Sequence, residues 1–273
     1  MPFPVTFSLQ KLGEMAGSDE DLPSEDDMGQ RITVEICVGD LESAIEAERG
    51  GADRVELCDN LAVGGTTPGP GTIAVACRRL QIPVHVLIRP RGGDFLHTES
   101  ELAAMRLDIE AAKSLGAAGV VLGLLTADAT IDRDRTERLI ELARPLSVTF
   151  HKAFDQTRDP FQALDTLIAM GVDRVLTSGC RPSALEGVGI LAGLVTHAAG
   201  RIAILAGGHL TVQNLQNIIR ATDVKEVHLG SAANRKWLSP MNPLPRDGSD
   251  TSWNGVDASA VREIVRVVSA IEN

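Results

Sequence analysis

From Arg31 onward, apolar residues recur at alternate positions in a series of short runs. They are ITVEICV (32–38), RVELC (54–58), PVHVLIRP (83–90) and GVVLGLL (119–125). LSVTFHK (146–152), DRVLTSG (173–179), RIAILAGG (201–208) and KEVHLGS (225–231) follow. A period of two is the spacing of a β-strand. Between the runs lie segments with helical spacing and recognisable ends. In GDLESAIEAERGGA, Asp40 is a candidate N-cap, Leu41, Ala44, Ile45 and Ala47 form an apolar stripe, and Gly50-Gly51 is a stop. Thr98 with Glu101 and Ser183 with Glu186 read as capping boxes, and Asp159-Pro160 as an N-cap followed by proline at the first helical position. Thr211 and Asp257 are further caps. In the last helix Val261, Ile264, Val265, Val268 and Ile271 share one face.

Eight strands alternating with eight helices predict an α/β fold, a (β/α)8 TIM barrel, as a single domain over residues 31–273. An open doubly wound sheet is the competing arrangement. It is disfavoured because CVGDLES after the first strand has one glycine where a dinucleotide fingerprint needs three.

Closure gives the alternation a meaning. If Val34, Ile36, Val38, Val55 and Leu57 face the helices, then Glu35, Cys37, Glu56 and Cys58 face the interior. The same parity turns His85, Leu87, Arg89, Thr149, His151 and His228 inward. Active sites of this fold lie at the C-terminal ends of the strands, where Cys37, Cys58, Arg89 and His151 fall. Buried ionic groups cost several kcal/mol unless paired. A purely structural role, with Glu35 and Glu56 paired to Arg89, stands beside a functional one. The repeated Val-Glu-aliphatic-Cys of strands 1 and 2 is the clearest mark of a site at the mouth.

The loops extend that picture. Gly64-Gly65-Thr66-Thr67 could present backbone N–H groups to an anion, and RPRGGDF places Arg89, Arg91 and Asp94 around a glycine pair. AGGHL and HLGSA follow strands 7 and 8, where this fold often binds phosphate. Residues 232–256 form a proline-containing insertion with both tryptophans, Trp237 and Trp253, suited to a lid or a contact surface.

Composition narrows the partners. Aromatics are 3% and tyrosine is absent, so the core must be aliphatic. No apolar run reaches the ~20 residues of a membrane span, and the first residues lack the pattern of a secretory signal. Cysteines 37, 58, 77 and 180 show no CxxC pair and read as reduced cytosolic thiols. The net charge of −11, with no basic block, argues against nucleic acid. Residues 1–30 carry seven acids and one base, and read as a mobile acidic extension.

The strings VEICV, GGADRVELCDNLAVGGTTPG, PVHVLIRPRGGDF, VTFHKAFD, DRVLTSG, EVH and SPM together resemble the copper homeostasis protein CutC family, over nearly the whole chain from Arg31. The resemblance implies a TIM barrel, a cytoplasmic location, a homodimer and a role in copper handling. It also implies Cu(I) ligands at Cys37 and Cys58. The chain departs from the family pattern at Gly69, His97, Lys152, Cys180 and Asn242.

Two functions follow. One is Cu(I) binding at the mouth by Cys37 and Cys58, since soft thiolates select Cu(I), though free cysteine also serves as a small buried hydrophobe. The other is an enzyme acting on a small phosphorylated or carboxylated metabolite. Glu35, Glu56 and His151 would then be its acids and bases, and Arg89 its anion holder. Deleting residues 1–30 is expected to leave a soluble protein whose melting temperature is unchanged within a few degrees, checked by thermal denaturation.

Overall fold

The computed structural model describes residues 31–237 and 252–272. The expectations for residues 1–30 and for Asn242 lie outside the described residues. Eight parallel strands close into a barrel in chain order, with β8 beside β1. They are β1 Thr33–Val38, β2 Arg54–Leu57, β3 Val84–Leu87 and β4 Gly119–Leu122. β5 Ser147–Phe150, β6 Arg174–Thr177, β7 Ala203–Gly207 and β8 Glu226–Leu229 complete it. The helices are α1 Leu41–Arg49, α2 Pro70–Arg79, α3 Glu99–Ser114 and α4 Arg133–Ala143. The remaining four are α5 Pro160–Ala169, α6 Val188–Ala198, α7 Val212–Thr222 and α8 Ala258–Glu272. This is the expected (β/α)8 barrel.

The sheet wall divides the core in two. Val34, Ile36 and Val38 are buried with Ala44 and Ala47 of α1 in one continuous layer between strands and helices. Cys58, Leu87 and Val121 form a separate interior cluster with Cys37 packed against it. Strand parity therefore holds.

Most helix starts follow from their caps. Asp40 accepts from Ser43 N at 2.7 Å, and Asp159 from Phe161 N and Gln162 N, with Pro160 at the first position. Thr98 and Glu101 form a reciprocal capping box, as do Thr211 and Asn214. Asp257 accepts from Ser259 N and Ala260 N. Ser183 and Glu186 do bond each other, at 2.7 Å, but they close a turn and α6 begins only at Val188. The physical reason is Gly187. A Cβ there would sit 1.9 Å from the carbonyl oxygen of Ser178, so the chain presses against the end of β6 before the helix can start.

Part of the 232–256 insertion is visible. β9 Asn234–Trp237 and β10 Trp253–Val256 form an antiparallel hairpin in which the two tryptophan rings stack 6.4 Å apart. The hairpin is tied to α1 through Val256 N and Ser43 Oγ at 3.1 Å.

The floor of the barrel is ionic. Register sets Glu35 opposite Arg54 on one side and His228 on the other. Glu35 accepts from Arg54 Nε, and Arg54 Nη2 donates to Glu226 Oε2 at 2.6 Å. Arg174 Nε donates to the same Glu226 oxygen at 3.1 Å. Two carboxylates and two guanidiniums thus neutralise one another inside the barrel.

Replacing one buried partner leaves the others uncompensated. Arg54→Met is expected to cost about 3–5 kcal/mol, with Arg54→Lys intermediate, as read from urea denaturation midpoints. Gly187→Ala is expected to cost roughly 1–3 kcal/mol through overpacking. Gly189→Ala, which meets nothing within 4 Å, should be neutral or slightly stabilising in the same assay.

Candidate functional site

Above the ionic floor the same parity brings Cys37, Glu56, Cys58 and His228 together. Cys37 is level with Glu56 in the register of β1 and β2, and Cys58 follows two residues later on the same inward face. The two sulfurs lie 3.8 Å apart. Glu56 Oε2 lies 3.5 Å from Cys58 Sγ, and the ligand atoms of Cys37, Glu56 and Cys58 all fall within 4.8 Å of one another. The β2–α2 loop closes over Cys58 at Gly65 (φ +90°), where a Cβ would strike Leu87 at 2.7 Å and touch Cys58 Sγ at 3.6 Å.

Charge is passed upward through this cluster. Burial alone would raise the pKa of Glu35, but the Arg54 guanidinium and His228 hold it well below the carboxylate range. Burial likewise opposes a charged His228. Its interactions with Cys37 and with Glu35, bonded at 2.7 Å, outweigh burial and keep it protonated. The hydrogen bond from Cys58 lowers the Cys37 thiol to about 5 against burial, with His228 helping. The same bond, together with burial, pushes Cys58 well above the ordinary thiol value. Glu56 is raised by burial and then by the adjacent Cys37. At neutral pH the set is therefore a Cys37 thiolate beside a Cys58 thiol, with a His228 cation over the Glu35 anion and Glu56 shifted toward its protonated form.

The other residues singled out from the sequence are divided by depth. Glu56, Arg89 and His151 line the cavity at the barrel mouth together with Cys37, Cys58 and His228. Glu35, expected in the same cavity wall, is not among its lining residues. It points inward but lies one layer lower, occupied by Arg54 and His228. His85 and Thr149 also face inward below the mouth. Burial drives His85 down to about 3, and Thr149 Oγ1 accepts from Arg174 at 3.4 Å.

Arg89 does not pair with either glutamate. Its Nη1 donates to Val63 O (3.1 Å) and Gly65 O (2.8 Å), and its Nη2 to Gly93 O (2.8 Å), so it staples two loops across the mouth. Those loops offer no anion cradle at Gly64–Thr67. All four backbone N–H groups there are used, on Leu61 O, Asn60 O, Asp59 O and Arg89 O. His151 Nδ1 accepts from Ala153 N at 3.2 Å, which leaves the hydrogen on Nε2. Burial and then the charge of Arg89 hold His151 near 3, so the ring is neutral.

Several participants were not singled out from the sequence. Arg54, Arg174 and Glu226 have the same parity as Glu56, Leu176 and His228, so the rule that found the cysteines also marks them. Asp155 accepts from Ser178 N, Ser178 Oγ and Cys180 N, and pairs with Lys152 at 3.1 Å, fixing the ends of β5 and β6. No periodicity announces it.

The family model for the CutC family matches residues 32–233. A copper homeostasis protein cutC homolog from Homo sapiens is 50% identical over 202 residues, covering 74% of this chain and 74% of the human one. A CutC family protein of Chromobacterium violaceum is 47% identical over 230 residues, 84% of this chain and 92% of its own. The crystal structure of the CutC protein from Streptococcus agalactiae superposes with a TM-score of 0.70 at 39% identity, covering 73% of this chain and 98% of that one. Thiamine phosphate pyrophosphorylase from Pyrococcus furiosus, 14% identical with a TM-score of 0.56 over 90% of this chain and 99% of its own, shares the barrel fold alone. A match over this much of the chain, with the paired cysteines inside it, places the protein in the CutC family of copper homeostasis proteins.

Proposed function

We propose that this protein acts in copper homeostasis by binding one Cu(I) ion at Cys37 and Cys58. The observation that carries the reading is the pair of sulfurs 3.8 Å apart at the mouth. That is less than twice a typical metal–thiolate bond of about 2.3 Å, so one ion can touch both and still be open to Glu56. Soft thiolates favour Cu(I) over harder cations.

The protonation pattern supports a monovalent ion. The Cys37 thiolate is ready to coordinate, while Cys58 must release its proton. One Cu(I) exchanged for one proton leaves the net charge of the buried cluster unchanged. A divalent cation would leave one extra positive charge in the buried cluster after the same exchange. Metal binding that displaces a proton weakens as pH falls.

The same reading makes the protein a cytoplasmic homodimer, with copper as cargo and neither nucleic acid nor membrane as partner. Four free cysteines support a reducing compartment. Among the described residues no helix is long and apolar enough to cross a membrane.

Titration of the reduced, metal-free protein against a competing Cu(I) chelator tests the proposal. One equivalent is expected to bind, with a large loss of affinity in Cys37→Ser and Cys58→Ser and none retained in the double variant. Stoichiometric binding that survives the double variant would show that the thiols only pack. Between pH 5 and 8 the affinity is expected to rise about tenfold per pH unit, reflecting the single Cys58 proton. Below about 5, where Cys37 also takes up a proton, the slope should steepen toward two. A flat profile measured with the same chelator would contradict the exchange.

A further inference from the structure

The cavity over the thiols has a volume of about 510 Å³, far more than a single ion occupies and within the range of small-molecule sites. One wall carries Cys37, Cys58, Glu56 and His228. A second part of the wall, from β3 and β5 and their loops, carries Arg89, Phe95 and His151.

That second wall holds donors without acceptors. His151 and Arg89 are each only 5% exposed, and His151 Nε2 and Arg89 Nε have no hydrogen-bond partner among the described residues. The bond from Ala153 N to His151 Nδ1 makes Nε2 the donor. A buried donor left unpaired loses its hydrogen bonds to water and gains none in return.

Arg89 is also a cation without a counter-ion among the described residues. Its three other hydrogen bonds go to backbone carbonyls, and its guanidinium stands 5.0 Å from the centre of the Phe95 ring. The His151 ring lies 4.8 Å from the same ring. Arg91, two residues along, is engaged by Asp94 and Glu101, and Lys152 by Asp155. Buried charges are normally paired. Among the described residues Glu56 carries the only carboxyl group in the cavity wall, and it lies against Cys58 rather than Arg89.

We propose that this cavity binds a small organic anion whose carboxylate or phosphate oxygens accept hydrogen bonds from His151 Nε2 and Arg89 Nε, with its carbon skeleton against Phe95, Leu87 and Leu210. The ligand supplies the missing charge and both missing acceptors at once. The site stands whether or not the cysteines hold copper.

Calorimetric titration of the full-length, metal-free protein with glycerol 3-phosphate, succinate and uncharged glycerol tests this. Saturable binding of glycerol 3-phosphate, of succinate or of both supports the site and tells phosphate from carboxylate, while glycerol gives no heat. His151→Phe, which keeps a ring against Phe95 but removes the donor, is expected to weaken the anion about tenfold or more. The Cys37→Ser/Cys58→Ser variant should bind the anion as the parent does, so that failure of the copper reading and failure of this one are separable. If His151→Phe does not fold, the Nε2–H resonance of His151 in the parent protein serves instead and should shift on saturation. No saturable binding of either anion, or binding indifferent to His151→Phe, overturns the proposal.

Discussion

The upper half of this barrel depends on one carboxylate. Glu35, buried on β1, is held by Arg54 from β2 and by His228 from β8. An ionised carboxylate in that position is tolerable only because both neighbours are present. Together with Cys37, it keeps His228 protonated against burial. His228 in turn helps keep Cys37 a thiolate, while Cys58 retains its proton. The reactive state of a sulfur at the mouth is thus set by Cys58 beside it and supported through His228 from a layer below, by a residue that never touches the cavity.

The arrangement resolves an electrostatic conflict. Carboxylates next to thiols should hinder their ionisation, and two glutamates accompany the two cysteines. The structure gives each glutamate a different role. Glu35 is fully committed to cations, and Glu56 is shifted toward its protonated form by burial and by the adjacent Cys37. Only one of the two thiols is left to ionise, so a proton remains to be exchanged for a monovalent ion.

A second constraint acts on the rim. Arg89 spends three donors on loop carbonyls, and Gly65 lets its loop pass close over Cys58 and Leu87. These contacts hold the mouth open as a cavity of defined shape. They also leave Arg89 and His151 with donors that the barrel itself does not satisfy.

The eight strands, their order, the caps of most helices and the inward set were all legible in the sequence, because side-chain alternation and capping are local properties of the chain. The same parity would have revealed Arg54, Arg174 and Glu226, had it been applied to every inward position. Depth along the barrel axis was not legible. Parity says which way a residue points, whereas the stagger between strands decides which layer it joins, and so Glu35 left the cavity while Glu56 remained in it. The partner of Arg89, the use of the Gly64–Thr67 N–H groups and the late start of α6 were also beyond the sequence. Each depends on a backbone atom brought close by a distant segment. The sequence by itself determined which residues face the interior of a closed barrel. Only the tertiary structure decided which of them meet, because contact between strands depends on register and on where loops come to rest.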